Sequence, residues 1–212
     1  MNFTLFIATG LMMIGLVIYP IDAFSQGQAQ KVVNVKNSAQ EANLQDLQTK
    51  AQQGDPMSQY KLGLMYGDGQ GVAKDDALAH KWLNAAADQG YPDALYALGV
   101  LNEMGMGIQQ DQKKALSYFR KAADKNHRDA QYRLGGFYFS GSMTLPKDPK
   151  LALKWYRKAA ENGHVESQAI LGQMYNGGMG IPADKKESIK WYKKAAAGGN
   201  LAAKAALGMP LK

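Results

Sequence analysis

The sequence predicts an all-α fold, an α-solenoid of antiparallel helix pairs, and three observations carry that prediction. A unit of about 36 residues recurs, returning at Gly54, Gly90, Asn126, Gly163 and Gly199. Within each unit, small and apolar residues fall at helical spacing in two blocks, and a Gly-rich turn separates the blocks. A unit of that size cannot bury its own apolar face, so neighbours stack and present an extended surface. Binding is the class of function this architecture implies.

The N-terminal stretch is of a different material. Phe3 to Ile21 contains no charged residue, and the run is followed by Asp22-Ala23-Phe24-Ser25. Ala23 and Ser25 are the small residues a signal peptidase needs for a cut after Ser25, so residues 1–25 read as a secretory signal peptide. No Lys or Arg precedes the run, and it is almost long enough to span a bilayer. A retained N-terminal anchor is therefore the alternative. In both cases the first cation, Lys31, lies beyond the apolar segment, and the array is expected outside the cytoplasm, periplasmic or secreted. Membrane contact is expected only through residues 3–21 if they stay uncleaved.

Residues 26–39 are polar and Gln-rich without a helical stripe, which suits a flexible lead-in. Leu44, Leu47 and Ala51 recur at helical spacing, so residues 40–53 read as a helix capping the first unit. Four units follow, 54–89, 90–125, 126–162 and 163–198. The first half of each reads small, x, aromatic or apolar, x, Leu, Gly, x, x, Tyr, as in Ser58-Tyr60-Leu62-Gly63-Tyr66 and Ala130-Tyr132-Leu134-Gly135-Tyr138. Asn102 replaces the last Tyr once. The small residue and the Gly let another helix approach closely. This is helix A.

The turn after helix A carries Gly, then an apolar plug (Val72, Ile108, Leu145, Ile181), then an Asp (Asp75, Asp111, Asp148, Asp184) suited to cap the next helix. Helix B follows, with an aromatic knob at Trp82, Tyr118, Trp155 and Trp191 and an Ala-Ala pair four residues later, beginning at Ala86, Ala122, Ala159 and Ala195. The third unit has one extra residue in Gly141-Ser-Met-Thr-Leu145-Pro146, expected to bulge from the turn. Residues 199–212 form a C-terminal half-unit and tail, with Leu201 to Leu207 as an unpaired helix A.

The joint pattern of Leu-Gly, Tyr, Gly-x-Gly, Asp, Trp-Tyr and Ala-Ala over residues 54–198 resembles the Sel-one-like repeat (SLR) family, a relative of the tetratricopeptide repeats. The resemblance implies a right-handed superhelix acting as an adaptor for other proteins or, in some members, for sugars or peptides. It brings no catalytic residues and no cofactor. By the related tetratricopeptide geometry, helix A lines a concave groove, which places Tyr60, Lys61, Leu64, Tyr96, Val100, Tyr132, Arg133 and Gln173 as candidate partner-binding residues, with Met57, Asp93, Asp129, Gly136 and Glu166 beside them. Tyr60, Tyr96 and Tyr132 recur at one position. Rings in a row suit a peptide or glycan, or they pack against the neighbouring helix and expose only their hydroxyls.

A second recurrence is basic: Arg120-Lys121, Arg157-Lys158 and Lys193-Lys194, with Lys81, Lys154 and Lys190 nearby. It suits an anionic membrane or an acidic partner, or it solvates a helix face. The net charge is +7, and +8 without residues 1–25, which hold one Asp and no cation. No nucleic-acid module is present, and an exported chain is not expected to meet nucleic acid. The chain has no cysteine, so packing alone must hold it. His127 and His164 occupy equivalent positions and His80 another, without metal-ligand spacing, and no metal is expected. The Gly-rich turns lack the Lys-Ser/Thr of a phosphate loop. No nucleophile elbow is present, and Glu161, Glu166 and Glu187 show no pairing. The expectation is a non-catalytic exported scaffold for a protein, a peptide (including a peptidoglycan fragment) or a glycan. The alternatives are an immunity or inhibitor protein and a cell-wall-active enzyme.

Overall fold

A computed structural model describes residues 11–14, 17–20, 42–141, 145–177 and 179–210. The chain divides into two compact units, 1–49 and 50–212. In the first, Leu11–Ile14 (β1) and Val17–Pro20 (β2) pair as an antiparallel ribbon, Leu11 opposite Pro20. The remainder of the expected signal segment and the lead-in 26–39 lie outside the described residues. Among the described residues no helix is long and apolar enough to cross a membrane.

The second unit is the α-solenoid. Residues 42–52 form α1, whose final turn from Lys50 belongs to this unit. Then come α2 (Pro56–Asp68), α3 (Asp76–Asp88), α4 (Pro92–Met104), α5 (Gln112–Asp124), α6 (Arg128–Ser140), α7 (Pro149–Glu161), α8 (Val165–Gly177), α9 (Lys185–Ala197) and the short α10 (Leu201–Ala206). Each helix from α2 to α9 has 13 residues. Helices A (α2, α4, α6, α8) pack on the helix B that follows, and each B packs on the next A. The equal lengths keep the stack in register.

The Leu-Gly step explains the tightest contact. A Cβ on Gly63 would lie 2.8 Å from Leu83 Cγ, and one on Gly99, Gly135 or Gly172 would lie 2.5–2.6 Å from a ring carbon of Phe119, Tyr156 or Tyr192. The knob that fills the glycine hole is thus the residue after the one the sequence singled out. Trp82, Tyr118 and Trp155 are half-buried on the flank, whereas Trp191 is buried in the core beside its glycine-filling neighbour Tyr192. Residue i+1 is turned a further 100° toward helix A, and Leu83, Phe119 and Tyr156 are buried there.

Both predicted punctuation marks are present. Asp75, Asp111, Asp148 and Asp184 each accept a backbone N–H from the first turn of helix B. Their own N–H groups close the turn on the carbonyls of Tyr66, Asn102, Tyr138 and Tyr175 at 2.8–2.9 Å. The plugs Leu145 and Ile181 are buried, Val72 and Ile108 half-buried. Residues 142–144, in the turn expected to bulge with its one extra residue, lie outside the described residues. Polar groups also tie unit to unit: the buried amides of Gln59, Gln131 and Gln168 donate to the carbonyls of Ala51, Ala123 and Ala160 in the preceding helix. Gln89 and Asn162 in turn donate to Gln59 and Gln131. Because these amides satisfy one another, their burial costs little.

Candidate functional site

Helix A positions 60, 96 and 132 are set by the small-x-aromatic-x-Leu-Gly pattern. The Leu and Gly turn inward, leaving the Tyr two residues earlier at the edge of the interface. Each Tyr ring is half-buried and leans on the second residue of the next unit. Tyr60 packs on Tyr91 at 5.5 Å between centroids, Tyr96 stacks on His127 at 4.6 Å, and Tyr132 stacks on His164 at 4.5 Å. Behind them, Tyr96 meets Phe119 and Tyr132 meets Tyr156. Burial, with the Asp93 carboxylate nearby, pushes the Tyr60 hydroxyl up. The tyrosines therefore both join the core edge and present a rim.

Sequence reasoning marked His127 and His164 as equivalent but missed what they do. His127 and His164 cap helices α6 and α8, with Nδ1 accepting from the N–H of Ala130 (3.2 Å) and Ser167 (3.0 Å). Their Nε2 atoms face Asp93 at 3.5 Å and Asp129 at 3.6 Å on the preceding helix A. An accepting Nδ1 requires the neutral ring with its proton on Nε2, aimed at the carboxylate. Burial holds the His164 imidazole below the ordinary histidine range, against the opposing pull of Asp129. A signal for this existed: Asp55 and Asn200 stand at the same register and cap α2 and α10.

Two cavities open along the helix A side. The larger, about 480 Å³, lies between α2, α3 and α4 and the turn after α4. Tyr60, Leu64, Tyr96, Val100, Leu101 and Met106 give it apolar walls, and Asp68, Lys74, Asp76 and His80 stand around it. Leu64 is 38% exposed and Met106 53%. The second, about 340 Å³, lies between α4, α5 and α6 and is lined by Glu103, Gln112, Tyr132, Arg133 and Phe137 among others. Arg133 Nη1 stands 3.4 Å from Glu103 Oε2. The pair lacks hydrogen-bond geometry, since that oxygen is shut off from solvent and accepts no hydrogen bond.

The eight candidate residues thus divide. Tyr60, Leu64, Tyr96 and Val100 come together in the first cavity, and Tyr132 and Arg133 in the second. Lys61 and Gln173 are exposed and line neither. The basic column is partly occupied by local work. Arg120 donates to the Tyr138 hydroxyl at 3.3 Å and Arg157 to that of Tyr175, while Lys158 and Lys194 each lie 4.5 Å over the rings of Trp155 and Trp191.

With this geometry in place, comparison with known proteins assigns the class. The Sel1 repeat profile matches residues 56–91, 92–127, 128–164 and 165–200. The chain belongs to the Sel1 repeat family. It is similar to a Sel1 repeat protein from Oxalobacter formigenes, with 39% identity and a TM-score of 0.75 over 78% of this chain and 47% of that one. It is also similar to c5321, a protective antigen of uropathogenic Escherichia coli with an SLR fold, with 37% identity and a TM-score of 0.74 over 78% and 35%. An immunity protein of Pseudomonas aeruginosa, PA5088, shares the fold alone, at 19% identity and a TM-score of 0.52 over 76% of this chain and 58% of that one. The chain spans less than half the length of the first two. No curated protein sequence matches it.

Proposed function

We propose that this chain is an exported, non-catalytic scaffold that holds an apolar side chain of a peptide or protein partner in the cavity between α2, α3 and α4. The observation that carries the reading is that cavity: about 480 Å³, walled by Tyr60, Leu64, Tyr96 and Val100, with charged groups only around it. Sites of this size and lining take ligand side chains, with a few polar groups fixing orientation. Tyr60 and Tyr96 are already held by Tyr91 and His127, so binding does not have to order them, and less conformational entropy is lost. Membership of a repeat family whose members generally serve as interaction scaffolds supports the same reading.

The test uses Leu64, which lines the cavity and is 38% exposed. A random peptide library panned on the protein should enrich apolar-anchored peptides. Their affinity should fall at least about tenfold, roughly 1.4 kcal/mol, on Leu64→Lys, with an unchanged melting temperature. No enrichment, or equal binding to the variant, overturns the cavity reading. Export rests on the apolar run and the small residues at 23 and 25. N-terminal sequencing of the protein from an envelope fraction should begin at Gln26, and recovery from the cytosol would refute export.

A further inference from the structure

The helix B side of units two to four carries a cationic lattice that the groove does not use. We propose that this lattice docks the protein on the surface of an anionic phospholipid bilayer. Count from the small residue that opens each helix B (Ala115, Ala152, Ser188). The positions two before it, and two, five and six after it, hold Lys or Arg in eleven of twelve cases, Ser117 being the exception. All twelve are exposed.

Their spacing explains why. The four positions run i, i+4, i+7, i+8, a single stripe on a helix. They are offset by two residues, about 200°, from the buried stripe Ala115, Phe119, Ala122 and Ala123, so they point straight outward. Helices α5, α7 and α9 together hold thirteen Lys or Arg, four on each of the first two and five on the third. Against them stand Asp124, Glu161 and Glu187. The first unit shows that the fold does not demand this. In α3 the same positions are Ala77, Lys81, Asn84 and Ala85.

The chemistry of the lattice selects the partner. Nine of the eleven cations are lysines, compact point charges that suit delocalised attraction to many anionic headgroups. Arg120 and Arg157, the groups that would grip one phosphate bidentately, are turned to the Tyr138 and Tyr175 hydroxyls. Lys158 and Lys194 cover the faces of Trp155 and Trp191, leaving those rings unavailable to stack on bases, which argues against a nucleic acid. Lys113, Lys150, Lys154, Lys186 and Lys193 form no ion pair among the described residues. An extended array of unpaired lysines fits a flat, fluid, anionic surface better than it fits a pocketed ligand.

The experiment compares the full chain on vesicles of phosphatidylcholine alone and of phosphatidylcholine with phosphatidylglycerol. The apolar run 3–21 contributes to both, so the ratio of partition coefficients reads the charge term. The test variant takes its residues from this protein's own helices B: Lys113→Ala, Lys150→Ala and Lys186→Ala from the register of Ala77, and Lys154→Ser from Ser117. The parent should favour the anionic vesicles, and the ratio should drop about fivefold for each lysine removed. The preference should vanish in about 1 M salt, where the screening length is 3 Å. Equal partition of the parent on both vesicles, or a preference that the variant keeps at unchanged helicity, overturns the proposal. Tight retention of soluble polyphosphate without vesicle preference would overturn it in favour of a polymeric anion.

Discussion

At the scale of single residues, two adjacent glycines do opposite things. A Cβ on Gly135 would sit 2.6 Å from Tyr156 Cδ1, whereas on Gly136 the nearest atom is the Tyr156 hydroxyl at 3.7 Å, an ordinary contact. Gly135→Ala should therefore lose about 2–3 kcal/mol through overpacking. Gly136→Ala should gain up to about 1 kcal/mol by removing a glycine from a helix interior. Chemical denaturation of both variants reads the signs directly. His164 makes a different prediction. Its imidazole ordinarily titrates near 6.5 and is held lower in the fold by burial. The unfolded chain thus takes up this proton first as pH falls. The stability from the neutral ring is complete above about 6.5 and is lost progressively below it. Asn caps α10 at the equivalent register, so His164→Asn keeps the cap and removes this slope. Melting temperatures of the two proteins should diverge between pH 7.5 and 5, the parent falling further; parallel curves would refute the assignment.

At the scale of the element, caps and turns were legible in the sequence because four copies multiply each weak signal. One Asp before a helix means little, but Asp75, Asp111, Asp148 and Asp184 at one register identify a cap, and all four accept the expected N–H groups. Asp148→Ala should cost about 1 kcal/mol and Asp148→Asn much less, measured by thermal unfolding. The site was less legible, for a physical reason. Tyr96 and Tyr132 serve the core edge and the cavity rims with the same ring, so recurrence cannot separate packing from contact. Their truncation should lower stability as well as affinity, which is why Leu64 is the cleaner probe. The knob was displaced by one residue, from Trp155 to Tyr156, because two aromatic neighbours on a helix differ only by a 100° turn that the pattern of one face does not fix. The Glu103 to Arg133 pair was invisible, since it joins α4 to α6 at unrelated register positions. Arg133→Met should destabilise by about 1–3 kcal/mol, because it leaves a solvent-shielded carboxylate oxygen without a counter-charge. A further Glu103→Gln substitution should recover much of that loss.

At the scale of the whole array, each helix touches its sequence neighbours and almost nothing else. That topology makes stability a sum of unit terms and nearest-neighbour interfaces, so damage should stay local until an interface fails. Leu134, fully buried at the Leu-Gly step of α6, gives the test. Leu134→Ala removes core volume where α6 meets its partners and should cost about 2–5 kcal/mol. If coupling runs only through adjacent helices, native-state hydrogen exchange should quicken in α5, α6 and α7 and fade with distance, leaving α9 and α10 near parental protection. Uniform acceleration across all helices would show instead a single cooperative block. The distinction bears on binding, because the larger cavity is built from α2, α3 and α4. In a nearest-neighbour array, Leu134→Ala should leave peptide affinity at Leu64 and its surroundings nearly intact while α5, α6 and α7 loosen. In a single block, affinity and global stability should fall together.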